Sequence, residues 1–88
     1  MTTRDSLIEY PCRYPIKVMG QAHPDLLPAV VALCRRFDPG FDPLGIEQRA
    51  SGARTFLGLT VTVEATSPEQ LDGLYRALSA HPLVRVVL

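Results

Sequence analysis

Tyr14-Pro15-Ile16-Lys17-Val18-Met19-Gly20 is the stretch on which the fold turns. Ile16 and Val18 stand two apart, with Lys17 and Met19 between them. That period of two predicts a strand with one dry face and one partly wet face. Gln21-Ala22-His23-Pro24 follows, and from residue 24 to residue 37 the apolar side chains Leu27, Val30, Val31, Cys34 and Phe37 recur at threes and fours. This spacing predicts an amphipathic helix with one buried stripe. Pro24 suits a first helical position, but Pro28 would then lie too deep; with Asp25 as N-cap, Pro28 becomes the third helical residue, where no backbone donor is needed. Strand, short loop and helix make the front half of a crossover connection.

The rest of the chain supplies what packs onto that half. Asp38-Pro39-Gly40-Phe41-Asp42-Pro43 is a loop by composition. Residues 44–50 read as a modest strand with Leu44, Ile46 and Gln48 on one face; the polar Glu47, Gln48 and Arg49 suit an edge. Residues 51–54 form a turn into residues 55–65, where Leu57, Leu59, Val61, Val63 and Ala65 alternate with Phe56, Gly58, Thr60, Thr62 and Glu64. Such a long, regular alternation predicts a central strand. Ser67-Pro68-Glu69-Gln70 opens a second helix, with Ser67 as cap, Pro68 in the first position and Gln70 reaching back to complete a capping box. Leu71, Leu74, Tyr75 and Leu78 form its buried stripe, and His81-Pro82 ends it. Residues 83–88 give a last strand. The organisation expected is an N-terminal arm, residues 1–13, partly disordered, and one domain over residues 14–88.

The order β-α-β-β-α-β defines an α+β class, the ferredoxin-like split βαβ arrangement. It predicts a four-stranded antiparallel sheet of order 4-1-3-2 with both helices on one face. The other face is then uncovered. Alternation assigns it Lys17, Met19, Phe56, Gly58, Thr60, Thr62, Arg85 and Val87. The mixture is too apolar for a plain solvent face and too polar for a core. Lys17, Met19, Phe56, Thr60, Thr62, Arg85 and Val87 are therefore the candidate interface, meeting a second copy of the chain or another protein.

Composition narrows the function further. The chain has 88 residues, enough for one core, and its nine basic and nine acidic side chains balance. A neutral chain without a basic stripe argues against nucleic acid. An RNA-recognition surface would also need aromatics on the two central strands, where only Phe56 stands. Cys12 and Cys34 make no disulfide framework, and Cys34 falls on the apolar stripe of its helix. His23 and His81 have no partner at metal-ligand spacing, so no metal or cofactor is expected. The loop 20–24 contains no arginine to cradle a phosphate and no Cys-x-x-Cys pair. No paired carboxylates or nucleophile–base set are legible elsewhere, so no catalytic residue is assigned and the chain reads as a non-enzyme. Residues 1–9 hold no long apolar run, and none elsewhere approaches a membrane span; the expected location is the cytoplasm.

Taken together, Lys17-Val18-Met19-Gly20 with Ala22, the Ser51-Gly52 turn, Gln70-Leu71 with Leu74-Tyr75, and Val84-Arg85-Val86-Val87-Leu88 resemble the YbeD family of small bacterial proteins. The resemblance runs from about residue 14 to the last residue. It implies a ferredoxin-like fold similar to the ACT-type regulatory domains of amino-acid metabolism, and no established activity. By that likeness a small effector, an amino acid or carboxylate, would lie at the first strand-to-helix loop, Gly20, Gln21 and Ala22. The leading functional reading is a regulatory or protein-interaction module acting through the uncovered face. A small-ligand sensor of the ACT type and an RNA-binding module are the alternatives.

Overall fold

The computed structural model describes residues 9–50 and 55–88. Strand β1 spans Cys12–Gln21, helix α1 Leu26–Phe37, β2 Glu47–Ala50, β3 Phe56–Ala65, α2 Pro68–Ala80 and β4 Val84–Val87, with a 3-10 turn at Pro43–Gly45. The sheet order is β2-β3-β1-β4, every neighbouring pair antiparallel, which is the expected 4-1-3-2 order. The first and third strands are central and run together over ten paired residues, from Cys12 opposite Ala65 to Gln21 opposite Phe56. Strand β1 therefore starts at Cys12, inside the expected arm, and Tyr10 already packs against the core. The turn expected at residues 51–54, and the arm up to residue 8, lie outside the described residues.

One core holds the layers together. Ile16 and Val18 of β1 and Leu59, Val61, Val63 and Ala65 of β3 face Leu26, Val30 and Cys34 of α1 and Leu71, Leu74 and Leu78 of α2, all buried. Each large aliphatic side chain there contributes about 1.5–3 kcal/mol on removal from water. The helices touch closely because Gly73 has no side chain: a Cβ on it would lie 2.7 Å from Cε1 of Phe37. A glycine inside a helix weakens it, and here it marks the place where α1 approaches.

Two helix starts behave differently. Asp25 occupies the N-cap position of α1, and Pro28 is its third helical residue, yet the Asp25 side chain makes no capping bond. At α2, Ser67 Oγ accepts the Gln70 N–H at 3.0 Å, as a cap should. Gln70, however, does not close the box on Ser67. Its Oε1 accepts from the Thr66 N–H at 2.7 Å, and its Nε2 donates to the carbonyls of Phe37 and Glu64 at 2.8 and 3.0 Å. Beside it, buried Asp38 accepts from the N–H groups of Gly40 and Glu64. Gln70 and Asp38 together tie the end of α1, the end of β3 and the start of α2 into one polar knot.

The second strand is shorter than expected. Residues 43–45 coil into the 3-10 turn, because Asp42 Oδ1 accepts from the Leu44 N–H and caps it. Leu44 leaves the strand and is almost fully exposed.

The uncovered sheet face as candidate functional site

The alternation of β1 and β3 carries Lys17, Met19, Phe56, Gly58, Thr60 and Thr62 to the side away from the helices. Cross-strand register arranges them in rows. Lys17 pairs with Thr60, and Thr60 with Glu47; Met19 pairs with Gly58, and Gly58 with Arg49. On the far side, Lys17 and Leu88 exchange backbone hydrogen bonds at 3.1 and 2.8 Å, and Met19 stands opposite Val86. Two full rows thus cross the sheet: Leu88–Lys17–Thr60–Glu47 and Val86–Met19–Gly58–Arg49.

Val87 is a correction. Simple alternation from Val84 puts it on the uncovered face, but the register of β4 shifts: Val84 pairs with Gly20, while Val86 pairs with Met19 and Val87 with Val18. Arg85 is the extra residue of this bulge, and a bulge reverses the alternation beyond it. Val87 turns to the helix side and packs against the core, and Val86 takes its place on the uncovered face, 45% exposed. Arg85 is exposed, with its guanidinium donating back to the Pro82 carbonyl at 3.3 Å. Sequence reasoning missed Val86 and Leu88 for this reason. It also passed over Glu47 and Arg49, although their alternation with Gln48 would have found them.

The rows enclose a shallow depression of about 480 Å³ between Lys17, Met19, Glu47, Arg49, Thr60 and Val86, with Gly58 in its floor. No close approach of the chain requires a glycine at position 58. A Cβ on it would meet only the Arg49 carbonyl oxygen, at an ordinary 3.5 Å. Among the described residues no side chain leans over it, so the sheet has a dent at this point. Neither Lys17, Glu47 nor Arg49 is held in an ion pair among the described residues.

The loop after β1 is arranged otherwise than a donor-rich effector site would be. Gly20 is buried, and a Cβ there would lie 2.5 Å from the Leu83 carbonyl oxygen and 2.7 Å from Leu26 Cδ1. Its lack of a side chain serves the approach of β4 and α1. The N–H of Gln21 donates to Leu83, that of Ala22 to Thr55, that of His23 to Gln21 and that of Leu26 to His23. The Asp25 N–H donates to His23 Nδ1 at 3.0 Å. The N–H groups of Gln21, Ala22, His23, Asp25 and Leu26 are thus spent inside the molecule. His81 acts in the same manner, accepting the Leu83 N–H at Nδ1 at 3.2 Å. The two His-Pro turns use their imidazoles as structural acceptors.

Cys34 is fully buried, and burial, with a smaller contribution from nearby Asp38, pushes its thiol from 9.0 up to about 12. It is an inert core residue at neutral pH. Among the described residues, no three His, Cys, Asp or Glu side chains gather to hold a metal, and no helix is long and apolar enough to cross a membrane.

The model of a family described as "Protein of unknown function (DUF493)" matches residues 5–88. The chain belongs to the DUF493 family. The family read from the sequence, that of YbeD, is the one found. A UPF0250 protein of Leptothrix cholodnii is 59% identical over 83 residues, covering 94% of this chain and 91% of that one. A UPF0250 protein of Bordetella pertussis is 56% identical over 84 residues, covering 96% of this chain and 92% of that one. Among solved structures, the solution structure of protein HP0495 from H. pylori superposes with a TM-score of 0.73 at 20% identity, over 92% of this chain and 85% of that one. At that identity it supports the ferredoxin-like fold and nothing further. The descriptions of the family and of these relatives name no activity.

Proposed function

We propose that this DUF493 chain is a non-catalytic regulatory module that works by protein contact through the uncovered face of its sheet. The observation that carries the reading is the depression over Gly58, where Met19 and Val86 stand exposed beside three charges left unpaired among the described residues. A face held only for solvation has no use for a glycine in its central strand, since glycine there weakens the strand. The ACT-like sensor alternative, placed at Gly20, Gln21 and Ala22, has less support, since the N–H groups of Gln21 and Ala22 are already engaged. An RNA-binding reading has one aromatic, Phe56, and no net positive charge to draw on.

Affinity capture with three variants tests the proposal. Met19→Asp and Val86→Asp place charge in the face, and Ala32→Asp places it on the exposed side of α1. A protein retained by the wild type and by Ala32→Asp, but lost from both face variants, is the expected result. Retention by all three contradicts it.

A further inference from the structure

The uncovered face is complementary to itself. Met19 and Gly58 are direct neighbours in one row, a protruding thioether beside a dent. Lys17 and Glu47 lie in the adjacent row, two strands apart and opposite in charge. An isologous contact requires each copy to supply both halves of every interaction, and this face supplies both.

We infer that the occupant of the face is a second copy of the same chain, stacked sheet to sheet about a twofold axis that runs along the strands midway between β1 and β3. This deepens the reading of the uncovered face as the interaction surface, and rests on it. The axis lays β1 of each copy over β3 of the other, with the mean strand directions within the angle usual for aligned sheets, about 30°. Met19 of each copy then enters the dent over Gly58 of the other. Lys17 of each copy comes over Thr60 of the other, one strand away from Glu47. Arg49 lies over Val86, its aliphatic stem on the valine and its guanidinium free to reach the rim. Shifting the axis onto β1 would set Lys17 against Lys17; shifting it onto β3 would set Gly58 against Gly58 and leave the dent empty. Only the intermediate position uses the row Met19–Gly58 twice. A chain of zero formal net charge meets no long-range repulsion from its copy.

The size of the face sets the strength. Four strands at about 4.8 Å spacing and some six residues of length give roughly 400 Å² per copy, about half of what a stable interface buries. The association is therefore weak and concentration-dependent, with a dissociation constant of about 10 µM to 1 mM.

Sedimentation equilibrium up to about 1 mM chain measures it. The wild type is expected to self-associate in that range. Gly58→Leu fills the dent and is expected to weaken association at least tenfold, while its thermal midpoint stays level or rises. A second measurement does not depend on that variant folding well. In a Cys12→Ser background, Met19→Cys chains mixed with Gly58→Cys chains and oxidised with glutathione disulfide should cross-link faster than either variant alone. A wild type that stays monomeric at about 1 mM overturns the inference, as does association indifferent to Gly58→Leu, or cross-linking no faster in the mixture. If the wild type is monomeric but Gly58→Leu abolishes capture of a different protein, the twofold contact falls and the functional face stands. If it changes neither, both fall.

Discussion

Two glycines on neighbouring central strands carry different work, and substitution should separate them. Gly20→Ala forces its Cβ against the Leu83 carbonyl and Leu26. Backbone must move, so a loss of about 1–3 kcal/mol is expected in urea unfolding. Gly58→Ala meets only an ordinary contact. The monomer should be unharmed or gain about 0.5–1 kcal/mol from the stiffer strand. Cys34 gives a pH prediction. Its thiol is held up to about 12 against an ordinary 9.0, so between those values the unfolded chain has released a proton that the folded chain keeps. Fewer protons on the unfolded state means stability falls as pH rises. Unfolding followed from about pH 8 to about pH 11 should show this loss beginning near the ordinary thiol value, and Cys34→Ala should remove that part of the slope. At neutral pH, alkylation of Cys34 should proceed only through unfolding.

At the scale of elements, the two helix starts make a matched pair. Ser67 caps α2 through its hydroxyl, whereas Asp25 stands at the N-cap of α1 with no side-chain capping bond. Ser67→Ala should cost about 1 kcal/mol and Asp25→Ala well under half of that, measured by thermal or denaturant unfolding. Gln70 should matter more than either, because its amide bonds to three separate backbone groups. Gln70→Ala is expected to cost about 2–3 kcal/mol, each lost bond contributing about 1 kcal/mol. These elements also show what sequence can and cannot disclose. The stripes of both helices and the alternation of β1 and β3 were legible because burial imposes a period. Ser67-Pro68 was legible because capping is local chemistry. Gln70 reaching the end of α1 was not, since its acceptor is 33 residues away in the chain. The bulge at Arg85 was not, because Val84-Arg85-Val86-Val87 offers a valine to either face whichever way the register falls. The short β2 was hidden by Asp42, whose Asx bond to Leu44 competes with strand extension.

At the scale of the molecule, the helices decide by default which surface is available. Both lie on one side of the sheet, so the remaining side is the one broad surface, among the described residues, built of regular, rigid strands rather than loops. Its occupants were half legible: Lys17, Met19, Phe56, Thr60 and Thr62, like Glu47 and Arg49, follow from alternation, while Val86 and Leu88 follow only from register. The dent at Gly58 joins the levels, because it is a glycine that no close contact requires, on a central strand, in the middle of the free surface. Dilution of isotope-labelled protein from about 1 mM to about 20 µM, followed by amide chemical shifts, tests the self-complementary face most directly. Shift changes should concentrate at Lys17, Met19, Gly58, Thr60, Glu47 and Arg49, with α1 and α2 unmoved. Changes confined to the helices, or no changes at all over that range, would contradict it.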